Sequence, residues 1–217
     1  MKIAIVIPPH SMKAPATQLY YPNGALSVAA GWRAMGHDVS VVDAQALGWG
    51  NHRIDPATGI HHRGLDFSTV AEVVASKMPD MVAVGATFSV QARSVKATAA
   101  AIRTRVDVPL VVGGHHATVR PEALLDAFDV AVAGEGEAID PVDVVGRRGV
   151  VDAGRVQDLS TLPLPARDLI PMSAYFDAAS GASIHGVAGM GRWASLVTSR
   201  GCPHLCSFCA IHLTMGR

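Results

Sequence analysis

Apolar residues along this chain fall into short, evenly spaced runs separated by longer stretches of helical periodicity. The opening "KIAIVIP" is continuous, rich in β-branched residues and short, as expected of a strand buried on both faces of a parallel sheet. The pattern recurs in "DVSVVDA" (38–44), "MVAVGATFS" (81–89), "VPLVVGG" (108–114) and "DVAVAGEGE" (129–137). Between these runs the spacing predicts four helices. One covers about 24–35 and stops at Gly36; a second is capped by Ser68, packs Val70, Val73 and Val74, and closes at Pro79. A third turns Val95, Ala99, Ile102 and Val106 to one side, and a fourth opens at Pro121 and Glu122 with Leu124 and Leu125 inward.

Alternation of strand and helix at this spacing predicts an α/β fold, a doubly wound five-stranded parallel sheet of order 2-1-3-4-5. Ligands of such sheets lie outside the carboxyl ends of the strands. Those ends carry Pro8, Pro9 and His10; Asp43; Thr87, Phe88 and Ser89; Gly113, Gly114, His115 and His116; and Gly134, Glu135, Gly136 and Glu137. Beyond residue 145 the pattern dissolves into glycine- and proline-rich chain, read as a linker or draped loop over 146–192. "WASLVTSRG" then reads as a buried strand opening a second unit over 193–217, so that 1–145 form the first domain.

Charge narrows the partners. Eighteen basic residues balance eighteen acidic ones and no Lys/Arg run occurs, so neither a nucleic-acid footprint nor a membrane patch is proposed and small molecules become the expected ligands. "MKIAIVIPPH" is too short for a signal-peptide core or a membrane span, which points to the cytoplasm. Asp43 ends a strand where dinucleotide-binding folds place an acid on the ribose, but the first turn, "PPHS", lacks G-x-G-x-x-G, which weakens a nicotinamide reading.

The three cysteines, Cys202, Cys206 and Cys209, form C-x3-C-x2-C. An odd, clustered set in a chain with no export signal argues for metal or thiol chemistry rather than a disulfide framework. Structural zinc would need His204 or His212 as a fourth ligand. An iron–sulfur cube usually takes four thiolates, so three would leave one iron open to an outside ligand.

"SRGCPHLCSFC" resembles the start of radical SAM enzymes. The resemblance implies a 4Fe-4S cluster on Cys202, Cys206 and Cys209 whose open iron binds S-adenosyl-L-methionine, with Phe208 near the adenine and an electron donor such as a flavodoxin or ferredoxin. Upstream, "GALSVAAGWRAMGHDVSVVDA", "PDMVAVGATFSVQARSVKATAAAIR", "PLVVGGHHATVRPEALL" and "DVAVAGEGE" resemble the Rossmann-like cobalamin-binding domain that precedes the barrel in one radical SAM subfamily, and "LPLPARDLIP" resembles its connector. This implies cobalamin as a further cofactor. Gly113, Gly114, Gly134 and Gly136 would let backbone approach the corrin rim, with Thr87, Phe88, Ser89, His115 and Glu135 beside it. The same glycines equally make tight βα turns, and Glu135 and Glu137 equally suit the start of a short helix.

No D-x-H-x-x-G motif occurs, since Gly59 stands two before His61, so no histidine from that motif is expected on cobalt. His10, His115 and His116 sit at strand ends, where turn roles and approach to the ring both remain open. Eight residues follow Cys209, whereas a (β/α) barrel takes about 250. The resemblance therefore predicts the front of a longer cobalamin-dependent radical SAM enzyme, a methyltransferase whose substrate pocket lies elsewhere. Two other readings stand beside it: a non-catalytic corrinoid-binding module with a vestigial cluster site, and a zinc-stabilised α/β interaction protein.

Overall fold

The computed structural model describes residues 1–180 and 192–216. Its strands are β1 (Lys2–Ile7), β2 (His10–Met12), β3 (Asp38–Asp43), β4 (His52–Ile54), β5 (His61–Arg63), β6 (Met81–Gly85), β7 (Leu110–Gly113), β8 (Val130–Gly134) and β9 (Gly149–Gly154). The helices are α1 (Asn23–Ala34), α2 (Ala44–Leu47), α3 (Phe67–Ser76), α4 (Ala92–Arg103), α5 (His115–Val119), α6 (Met172–Ser180) and α7 (Ile211–Thr214).

Among the described residues the main sheet has six strands in the order β3-β1-β6-β7-β8-β9, every pair parallel. The five expected strands keep the order 2-1-3-4-5, which follows from right-handed crossovers between parallel neighbours. Successive side chains of β1 go to opposite faces. Ala4 and Val6 join Val70, Val74, Val95, Ala99 and Ile102 under α3 and α4, while Ile3 and Ile5 join Ala29 and Trp32 of α1. Burial on both faces is why these strands read as continuous apolar runs.

Several expectations are corrected. β9 adds a sixth strand at residues assigned to the linker, so the sheet runs to Gly154 and not to 145. Its glycine-flanked "GVVDAG" is too short to stand out from a loop, and pairing with β8 makes it a strand. The α3 N-cap is Asp66, not Ser68. The helix expected from Pro121 is a 3-10 turn, Pro121–Leu124, after the short α5. Proline lacks the N–H needed to continue α5 through it. The buried strand expected at 193–201 does not form. No strand lies beside it among the described residues, so it has no ladder, and Leu196 and Val197 are exposed.

Residues 155–170 drape back over α1, where the Ala166 N–H donates to the Leu26 carbonyl and Ile170 is buried. They lead into α6, whose Tyr175 joins Leu19, Tyr21 and Leu26 in a third apolar cluster. Of the expected linker, 181–191 lie outside the described residues. β2, β5 and β4 form an unforeseen antiparallel sheet just past the end of β1. Among the described residues no helix is long and apolar enough to cross a membrane.

Candidate functional site

The carboxyl ends of β6, β7 and β8 open onto one rim. Past β6, Thr87, Phe88 and Ser89 are exposed, with Phe88 presenting its ring to solvent. Past β7, Gly113 faces open space, where a Cβ would meet nothing within 4 Å. Gly114 has a different task. Its φ is +110° and a Cβ would lie 2.8 Å from the Ala86 carbonyl oxygen, because the chain must turn there for the His116 N–H to reach that oxygen. Gly134 is likewise required by the fold, at φ +97° against Gly154, and Gly136 packs on Val28 of α1.

His116 is buried, and its Nδ1 lies 2.9 Å from the Ser89 hydroxyl. Its Nε2 is buried with no partner among the described residues. Burial, reinforced by Arg120 and Lys96, holds its imidazole below the ordinary histidine range, so the ring is neutral at pH 7. Burial also lowers the His115 pKa. A neutral imidazole has one donor and one acceptor; with Ser89 taking one, the other is left without a partner among the described residues. An orphaned buried nitrogen beside an open glycine edge and two short hydroxyls fits a broad apolar ligand rimmed with amides, which is the description of a corrin. His10 faces elsewhere, its Nε2 lying 2.6 Å from the Ala14 carbonyl oxygen.

Glu135 and Glu137, expected either at a ligand rim or as helix-starting acids, are both buried and serve the chain itself. Arg200 reaches them with Nη1 at 3.0 Å from Glu135 Oε1 and Nη2 at 2.7 Å from Glu137 Oε1. The other Glu135 oxygen accepts from the Val156 N–H at 2.7 Å. Trp32 Nε1–H donates to the carbonyls of Gly136 and Ile139, fixing the turn that presents both acids. Arg200 stands two residues before Cys202. The clasp therefore ties the root of the cysteine loop to the carboxyl end of β8. Further out, the Arg155 guanidinium donates to the His212 carbonyl, the Cys202 N–H donates to Gly216, and α7 packs against α5. The cysteine segment thus lies at the same end of the sheet as Gly113, Ser89 and His116.

Cys202, Cys206 and Cys209 form no disulfide, and Phe208 is almost fully exposed. Three thiols within eight residues suit an iron–sulfur cluster as a donor set. As folded, however, no three His, Cys, Asp or Glu side chains converge to hold a metal among the described residues. Taking up a cluster would require the loop to close around it.

Asp43 is a structural residue. One carboxylate oxygen caps α2 through the Gln45 and Ala46 N–H groups, and the other accepts from the Tyr175 hydroxyl. Burial pushes its carboxyl above the ordinary range, partly offset by those three donors. Arg200 was the residue hardest to assign from sequence. It lies within "SRGCPHLCSFC", but its acidic partners stand more than sixty residues away.

Residues 9–142 match the family described as B12 binding domain. Over its full length the chain is 28% identical to a protein of Pyrococcus horikoshii named as an uncharacterized methyltransferase, covering 47% of it. It is 26% identical to cytidylyl-2-hydroxyethylphosphonate methyltransferase of Streptomyces wedmorensis, over 87% of this chain and 43% of that one. It is 27% identical to an anaerobic magnesium-protoporphyrin IX monomethyl ester cyclase of Synechocystis, over 96% of this chain and 42% of that one. The chain spans under half the length of each of these relatives.

Proposed function

The chain belongs to the B12 binding domain family, and we propose that it is the front portion of a cobalamin-dependent radical SAM enzyme that transfers a methyl group. The observation that carries this reading is the Arg200 clasp on Glu135 and Glu137, which brings the C-x3-C-x2-C loop to the ligand-facing end of the sheet. Two of the relatives above are named methyltransferases, which favours methyl transfer over cyclisation.

In this reading Gly113 lets the corrinoid approach the β7 backbone, Thr87 and Ser89 offer hydroxyls to its amide rim, and His116 Nε2 takes one further hydrogen bond. Phe88 supplies an apolar surface at the edge. Cys202, Cys206 and Cys209 would be the cluster ligands, and Phe208, exposed here, would face S-adenosylmethionine. Bound cobalamin supplies a transferable methyl group, and a cluster with S-adenosylmethionine supplies a hydrogen-abstracting radical. An electron donor such as a flavodoxin or ferredoxin belongs to the proposal.

The test is anaerobic reconstitution of the full chain with iron, sulfide and hydroxocobalamin, counting bound iron, sulfide and corrin for the wild type and Cys206→Ser. The expected result is about four irons and four sulfides per chain in the wild type, lost in the variant, with corrin retained by both. Corrin without iron would reduce the chain to a corrinoid-binding module. Zinc in place of both would overturn the reading.

A further inference from the structure

Beside the corrinoid-facing rim, past the ends of β1 and β3, the small antiparallel sheet borders an open cavity of about 190 Å³. The strands that build it, "HSM", "HRI" and "HHR", carry almost no apolar residues, so hydrophobic burial does not explain their composition. The lining includes Arg53, Arg63, His10, His52 and His62, with Asp66 the acid among them.

Asp66 is already committed, accepting from Arg53 Nη2 at 2.9 Å. That choice also leaves α3 without a side-chain cap, although Asp66 is its N-cap residue. Arg63 forms no ion pair among the described residues. Its Nε is buried without a partner, and among the described residues its guanidinium has only the Trp49 ring, 4.6 Å from the ring centroid. Arg63 is half-buried, and a guanidinium whose Nε is shut off from water without an acceptor gains from an anion in the space beside it. His62 uses Nδ1 on the Ser11 hydroxyl at 3.0 Å and leaves Nε2 uncommitted. Cations crowd this place strongly enough to help depress two imidazoles. Burial and then His61, Arg63 and His52 lower His10 against its Ala14 hydrogen bond, and burial with Arg53 lowers His62. The same crowding disfavours a metal ion, even though His52 Nε2 and His61 Nδ1 approach to 3.2 Å.

We propose that this cavity is an anion site for a phosphate group, gripped by the Arg63 guanidinium with Arg53, His62 and the first turn of α3 around it. The forked, planar donor array of arginine matches a tetrahedral oxyanion. The phosphate comes either from the nucleotide tail of the corrinoid or from a separate phosphorylated small molecule. The site itself does not depend on the corrinoid reading.

The experiment is titration of the full chain with inorganic phosphate at constant ionic strength, balanced with chloride, following the His10 and His62 imidazole resonances by NMR. Saturable shifts are expected. Arg63→Met should weaken phosphate by about tenfold or more, and Arg63→Lys, which keeps charge without the fork, by less. Because Arg63 packs on Trp49, Arg53→Met serves as a second variant and should weaken phosphate several-fold with the fold intact by circular dichroism. Displacement of phosphate by cobalamin but not by cobinamide, which lacks the nucleotide tail, would assign the site to the tail. Displacement by neither would assign it to a separate ligand. Imidazole shifts that track chloride as well as phosphate, or equal phosphate affinity in all variants, would overturn the proposal.

Discussion

Leu110, Val112 and Ala131 of the sheet and Ile102 of α4 are fully buried in one core, whereas in the segment leading to the cysteines Leu196 and Val197 stand 71% and 59% exposed. The sheet is held by apolar area removed from water on two faces. The segment is held by polar clasps: Arg200 on two glutamates, the Tyr21 hydroxyl on the Trp193 carbonyl, Asn23 on Ser195, and Arg167 on the Ser195 carbonyl. Dispersed burial fails all at once, while a few directional contacts open locally at far lower free energy. Under the proposed function, a loop that closes around a cluster would gain from this arrangement. Its root is fixed at Arg200, and beyond it the segment is held by the Cys202 N–H on Gly216 and by Arg155 on the His212 carbonyl, contacts that lie outside the sheet core.

The largest expected effect tests the sheet. Ile102→Ala should lower global stability by about 2–5 kcal/mol, measured in urea, because Ile102 is fully buried on the inner face of α4. It should leave the relative reactivity of the three thiols in the folded protein unchanged. If the thiols become reactive in step with lost stability, the two regions form one cooperative unit.

Arg200→Met should do the reverse. It leaves Glu135 and Glu137 buried without their cation, at a cost of about 1.5–3 kcal/mol concentrated in local opening. Thiol-labelling rates at the half-buried Cys202 and Cys209 should rise by about tenfold or more, with little change at the exposed Cys206, while the urea midpoint moves little. An unchanged labelling rate would remove the clasp from the account of the loop.

Next is the Asp43–Tyr175 contact, which ties α6 to the sheet. Tyr175→Phe should cost about 1 kcal/mol and raise the Asp43 pKa further. The sign of the pH dependence follows from burial, which raises that pKa in the folded state. The contribution of Asp43 is fully present below its unfolded value and is lost as pH rises through the folded one. Asp43→Asn, which keeps the α2 cap, should remove this loss and flatten stability as pH rises above the ordinary carboxylate range. A wild type and variant with parallel pH profiles would refute it.

The smallest effect is a surface pair. Lys96→Ala removes the half-exposed contact to Asp126 at 2.9 Å and should change stability by less than about 1 kcal/mol. A larger loss would mean that the sheet also relies on polar contacts, which blurs the distinction from the cysteine segment.

Much of the sheet was legible because burial leaves a local imprint. Val95, Ala99 and Ile102 repeat at helical spacing, and the runs at β1, β6, β7 and β8 are apolar on both faces. Where that imprint was weak, expectation failed. β9 is six residues bounded by glycines, and "WASLVTSRG" has a strand-like composition without any strand to pair with. At the candidate site, the glycines at 114 and 134 were legible as turn residues, but nothing local distinguished them from Gly113, which alone of the three faces open space.

By itself the sequence determined the alternation of strand and helix, hence the parallel order, and the cysteine trio with its spacing, because both are written within a few residues along the chain. Only the tertiary structure decided that Glu135 and Glu137 serve Arg200, that Asp43 meets Tyr175, and that Arg63 Nε is buried without an acceptor among the described residues. Electrostatic partners are chosen by proximity after folding. Contacts across 63, 65 and 132 residues have no periodicity through which composition could announce them.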